Sequence, residues 1–191
     1  MRLFIAIDPP SEQRERIGSL HAGLPGVRWT APEQIHLTLR FIGETDEMLF
    51  RQISANLATI RTEPLNLKIR GIGQFPPRRP ARILWLGLAP NEQLLQLRNR
   101  IETTLVQSGL ESEDQQFAPH ITIARFRKAP PIKALAAFMD ANRQFELPSF
   151  AVGEFHLYSS TITSAGAVHR REVSYPIPGP CQRLAEGGAP A

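Results

Sequence analysis

The sequence predicts an α+β protein built on antiparallel sheets, and three observations carry that expectation. Several predicted strands follow one another with no helix between them, a connection that antiparallel pairs allow and parallel pairs do not. No glycine-rich phosphate loop opens a helix after a strand, and Gly71-Ile-Gly73 is too short for a dinucleotide fingerprint, so it reads as a turn at a strand end. The 191 residues, 42% of them apolar, are enough to bury a core without disulfide or metal staples.

The elements follow in order. Leu3 to Asp8 reads as a first strand, and Pro9-Pro10-Ser11 offers a turn and an N-cap for a helix over about 12–23. Strand signals return at Val27 to Thr30. Ile35 to Ile42 alternates and is rich in β-formers, after which Asp46 can cap a helix running to about Ile60 with Leu49, Ile53, Leu57 and Ile60 on one face. Leu65 to Ile72 and Ile83 to Leu88 read as two strands around a loop of prolines and arginines, Arg78 to Arg82, that a helix would not tolerate. Pro90-Asn91 opens a helix through about Ser108, with Leu94, Leu97, Ile101 and Leu105 at helical spacing and Gly109 as the stop. A strand from His120 to Arg125, a short helix over about 132–142 and strands over about 150–158 and 168–175 complete the reading. Residues 1–177 are expected to form one domain, and 178–191, a Pro-, Gly- and Ala-rich stretch with little to bury, a disordered tail.

Composition narrows the setting. The single cysteine, Cys181, excludes an intrachain disulfide and a thiolate metal cage, so a cytoplasmic location is the expectation. The apolar run after Met1 lacks the length and cleavage site of a signal peptide, and no stretch is long enough to span a membrane. A net charge of +4 and a pI near 9.8 tilt the surface toward anionic partners. The basic residues collect at Arg78 to Arg82, at Arg125-Phe126-Arg127-Lys128 and at Arg170-Arg171, each beside a predicted strand.

Two of the five histidines stand in the same four-residue frame: His36-Leu-Thr-Leu39 and His120-Ile-Thr-Ile123. In a strand each His and its Thr point to one face while the aliphatic partners point to the other. Each motif thus presents an imidazole and a hydroxyl on one surface. That pairing suits a phosphodiester: one imidazole takes a proton from water, the other supplies one to the leaving oxygen, and Thr38 and Thr122 can bond the non-bridging oxygens. Histidine fits both tasks because its ordinary pKa, near ~6.5, lets one neutral and one protonated ring coexist near neutrality. No carboxylate lies at ligand spacing from either motif, so no metal is expected. His21, His156 and His169 read as structural or solvated, and Asp8 and Glu44 as candidates to orient a motif histidine.

At these residues the chain resembles the 2H phosphoesterases, and within them the RNA 2′,3′-cyclic phosphodiesterases, also called 2′–5′ RNA ligase-like proteins. The likeness runs over about 2–176 and rests on both motifs with their surroundings: Leu3 to Ile7, Trp29, His36 to Gly43, Phe75 to Trp85, Phe117 to Arg125 and Leu157 to Ser160. The resemblance implies a bilobal fold with a pseudo-twofold axis, two antiparallel sheets facing a central cleft, and helices outside. It implies hydrolysis of RNA 2′,3′-cyclic phosphate ends to 2′-phosphates, with His36 as proton donor, His120 as proton acceptor, and Thr38, Thr122 and Arg125 holding the phosphate. It implies no cofactor, RNA ends or small cyclic nucleotides as partners, and a monomer. Phe41 takes the place in the first motif that Arg125 takes in the second, and reads as packing. Arg40 departs from the small or apolar residue expected of relatives and reads as facing solvent at a sheet edge. Ligation of RNA ends, small cyclic-nucleotide hydrolysis and RNA binding without turnover are the alternatives.

Overall fold

Strand pairing organises the molecule. A computed structural model describes residues 1–21, 24, 26–77, 80–128, 130–163 and 166–178. The strands are β1 (Arg2–Ile7), β2 (Val27–Trp29), β3 (Leu37–Glu44), β4 (Leu65–Leu67), β5 (Ile69–Phe75), β6 (Ile83–Leu88), β7 (His120–Phe126), β8 (Phe150–Val152), β9 (Glu154–Thr163) and β10 (Gly166–Pro176). The helices are α1 (Ser11–Gly18), α2 (Glu47–Leu57), α3 (Glu92–Gln107) and α4 (Ile132–Ala141). Eight strands join in the order β10-β9-β1-β3-β7-β6-β5, with β2 also on β7, while β4 and β8 form a separate two-stranded sheet. Every pairing is antiparallel.

The larger sheet has two halves, and they meet at one residue pair, Leu37 on β3 with Ile121 on β7. These are the second residues of the two motifs. An antiparallel pair is related by a local twofold axis, so centring it on Leu37 and Ile121 makes the motifs equivalent about that axis.

Burial explains which strands are central. In β1, Leu3, Ile5 and Ile7 face the hydrophobic core while Phe4 and Ala6 are buried on the opposite side, the near-continuous apolar pattern of a strand covered on both faces. The core side is closed by Leu94, Leu97, Ile101 and Leu105 of α3, Ile53 and Leu57 of α2 and Ile17 of α1. Local chemistry sets the helix ends. The Leu49 amide donates to Asp46 at 2.8 Å, the Leu94 amide donates to Asn91 at 2.7 Å, and Gly109 ends α3 with φ of +91°.

Several boundaries differ from those expected. Helix α1 is capped at Pro10 without a side-chain bond and ends at Gly18, followed by a 3-10 turn over Ser19–His21, so Ser11 is its first residue and not its cap. The stretch over 65–72 divides at Lys68, and that over 150–158 divides at Gly153; β4 and β8 leave the main sheet to pair with each other. Gly71 and Gly73 lie inside β5, not at its end. Gly71 takes φ of +80° where the register with β6 shifts, a conformation that favours glycine, and its amide donates to Phe145. The expectations for Arg78 and Arg79 and for the tail from 179 onward concern positions outside the described residues.

Candidate active site

Both motifs open onto one cavity of about 890 Å³ between the halves of the sheet, lined by His36, Thr38, His120, Thr122 and Arg125 among others. The strands put them there by alternation. Leu37 and Leu39, like Ile121 and Ile123, are buried in the core, so Thr38 on one strand, with His36 just before it, and Thr122 on the other face the cleft.

The two imidazoles are held alike. His36 Nδ1 donates to the Gln34 carbonyl at 2.7 Å, and His120 Nδ1 donates to the Ala118 carbonyl at 2.7 Å. A carbonyl can only accept, so each bond fixes the proton on Nδ1 and leaves Nε2 to accept or, once charged, to donate. Backbone therefore does the orienting expected of Asp8 or Glu44. Glu44 sits at the exposed end of β3 near the Met1 amine, 3.7 Å away. Asp8 accepts from Tyr158 at 2.6 Å and from Arg171, and lies 3.8 Å from His156.

Their surroundings differ. His36 packs against Phe4 at 5.1 Å between ring centroids, Tyr158 stacks on Phe4 at 5.2 Å and lies 6.4 Å from His36, and His169 stands edge-on to His36 at 5.5 Å. Burial pushes His36 down to about 4; the Gln34 bond and Asp8 oppose this, while His169 and Arg125 add to it. Burial, and then the bond to Asp8, raise the Tyr158 hydroxyl to about 12, so it stays protonated and donates. His120 instead meets Phe75 edge-on at 5.0 Å, with Trp85 at 6.3 Å.

Three residues correct the sequence reading. Phe41 is 60% exposed on the cleft wall and touches only with one side, its ring 6.1 Å from that of Phe4 opposite it on β1, because the register shift before it turns it to the cleft. His169, read as structural or solvated, lies within β10 and lines the cleft, and its pKa is lowered by burial and by Arg125. Arg40 does not face solvent at a sheet edge. Its side chain is 12% exposed and bonded to Glu102 at 2.8 Å. Of the basic clusters, Arg125 reaches the cleft and Arg171 binds Asp8, while Arg170 is exposed. Arg2 and Arg28, not singled out in the sequence, also line the cavity. No local pattern marks them; strand order brings them in. His156 is buried, with Nδ1 2.9 Å from the Ser174 hydroxyl, a structural placement. Among the described residues no group of three or more His, Cys, Asp or Glu is placed to hold a metal, and no helix is long and apolar enough to cross a membrane.

Comparison with known proteins follows the same lines. The family model described as the 2′-5′ RNA ligase superfamily matches residues 9–161. An RNA 2′,3′-cyclic phosphodiesterase of Aeropyrum pernix is 35% identical over 159 residues, 82% of this chain and 89% of that protein. One of Escherichia coli is 32% identical over 170 residues, 84% of this chain and 87% of its own length. Among solved structures, a Thermus thermophilus protein superposes with a TM-score of 0.76 at 25% identity, covering 94% of this chain and 99% of that one. Escherichia coli LigT complexed with 3′-AMP superposes at 0.73 and 29% identity, covering 92% and 97%.

Proposed function

The chain belongs to the 2′-5′ RNA ligase superfamily, and from that membership and the geometry of the cleft we propose that it hydrolyses RNA 2′,3′-cyclic phosphate ends to 2′-phosphomonoesters. The observation that carries this reading is the Leu37 to Ile121 pair, which sets two imidazoles and two hydroxyls about one local axis at a shared cavity. An in-line displacement at phosphorus needs a base on the water side and an acid on the leaving side. Two equivalent imidazoles, each with Nε2 uncommitted, supply that arrangement.

In the reaction His120 Nε2 takes a proton as water oxygen bonds to phosphorus. The bond from phosphorus to O3′ breaks, and His36 Nε2 gives its proton to O3′. Thr38, Thr122 and Arg125 hold the non-bridging oxygens. Burial favours neutral His36 in the free protein, whereas a phosphodiester monoanion beside the ring favours its cation. Substrate arrival thereby charges the donor. Every group in this scheme comes from one chain, so a monomer suffices.

Turnover of a 2′,3′-cyclic nucleotide, followed by phosphorus NMR, tests the scheme. A 2′-phosphate is expected. A 3′-phosphate would exchange the two histidines' roles, and a folded wild-type protein without turnover would remove the hydrolytic reading.

A further inference from the structure

We propose that Arg40 is a positioning residue: through an ion cluster with Arg98, Glu102 and Glu113 it holds the cleft wall that leads into the second motif, and so sets His120. On β3 the alternation is interrupted at Leu39, where the pairing with β1 passes from Thr38 opposite Ala6 to Arg40 opposite Ile5; this bulge turns Arg40 toward α3 at the edge of the cavity it helps to line. Each of its three guanidinium nitrogens donates a hydrogen bond. Nε donates to Glu102 of α3 at 2.8 Å, Nη1 donates to the Phe41 carbonyl, and Nη2 donates to the Glu111 carbonyl at 2.8 Å.

The segment from 111 to 117 is then tied at successive points. The Glu113 amide donates to the other Glu102 oxygen at 2.8 Å, and Arg98, one turn earlier on α3, donates to the Glu113 carboxylate at 3.0 Å. The Arg98 guanidinium also lies 5.7 Å from the centre of the Phe117 ring. Ala118, the next residue, supplies the carbonyl that accepts from His120. The four charged side chains are 11–28% exposed, and their charges balance. Weakly screened charges of this kind hold one geometry well, and losing one partner leaves the others uncompensated.

Among the described residues this device has no counterpart on the other side of the axis. The Gln34 carbonyl that holds His36 belongs to a 3-10 turn, Pro32–Gln34, and the Gln34 amide group donates to Ala167 instead. In the second motif the place of Arg40 is taken by Ala124, which is fully buried. The halves of the sheet share one residue pair, so contacts of this kind decide how the second half's wall stands against the first. His36 serves as an internal control.

The test compares wild type with Arg40→Met, Arg40→Lys and the double variant Arg40→Met/Glu102→Gln, which removes one charge of each sign and so avoids a stranded carboxylate. Two readouts are taken on folded protein: kcat and KM for a 2′,3′-cyclic nucleotide, and the imidazole ¹⁵N shifts of both histidines. The double variant is expected to lose ~10-fold or more in kcat with KM changed less than about 3-fold, since a small misplacement of a reacting group is costly. Its His120 signals should move toward a mixture of tautomers while those of His36 hold, and Arg40→Lys should fall between. Wild-type kcat with unchanged His120 shifts would overturn the proposal, as would equal changes at both histidines. The kinetic arm rests on the proposed hydrolysis and the spectroscopic arm does not. A wild type that fails to turn over substrate therefore removes the hydrolytic reading while the shifts still decide the role of Arg40.

Discussion

The indole of Trp85 lies over Gly73 so closely that a Cβ added to the glycine would stand 2.2 Å from the ring. Trp85 in turn packs on Phe75 at 5.2 Å, and both rings flank His120. Gly73→Ala should therefore displace the indole, lower stability by about 1–3 kcal/mol as overpacking does, and reduce turnover by disturbing His120. Chemical denaturation and steady-state kinetics on the same preparation check it; wild-type values in both would show that the indole moves aside freely.

Replacing His36 or His120 by Ala should each lower kcat/KM by roughly 10²–10⁴-fold, the loss of one proton-transfer group. The double variant should be far less than multiplicatively worse, because the two rings act on one transition state. Near-full activity in either single variant would sink the acid and base assignment.

Stability should rise with pH between about 4 and ~6.5. The folded pKa of His36, about 4, lies below its ordinary value, so the unfolded chain binds more protons in that window. The contribution is whole above ~6.5 and is lost as pH falls through about 4, on the order of 3 kcal/mol from His36 alone. His156 and His169, lowered chiefly by burial, act in the same direction. Urea melts across this range should show the slope, and His36→Ala should flatten it; a melt independent of pH in wild type would count against the burial of His36.

Phe41 and Arg125 hold equivalent places in the two motifs with opposite chemistry. Arg125→Met should raise KM and weaken its dependence on salt, since it removes a charge facing the phosphate. Phe41→Ala should leave the melting temperature nearly unchanged, because the ring is mostly exposed. If Phe41→Ala instead unfolds the protein, the packing reading was the correct one.

Turnover should survive exhaustive chelation, since two imidazoles, two hydroxyls and an arginine can carry the charges and protons of the reaction without a Lewis acid. Loss of activity on EDTA, restored by a divalent ion, is the contrary result.

Much of this was legible in the sequence because it is local. Alternation placed His36 and Thr38 on one face and Leu37 and Leu39 on the other, helical spacing marked Leu94, Leu97, Ile101 and Leu105 as a buried stripe, and Asp46, Asn91 and Gly109 marked helix ends. The repeated frame around His36 and His120 named the chemistry. What the sequence could not contain was which strands pair and in what register. Those depend on contacts between residues far apart in the chain, whose energies are sums over surfaces with no signature at either position alone. Only the tertiary structure decided that Leu37 faces Ile121, that β10 carries His169 to the cleft, and that Phe41 is left uncovered. Arg40 is the clearest case: on its strand it reads as a charge at an edge, and only the arrival of α3 and the segment after it supplies the carboxylates that make its partial burial stable.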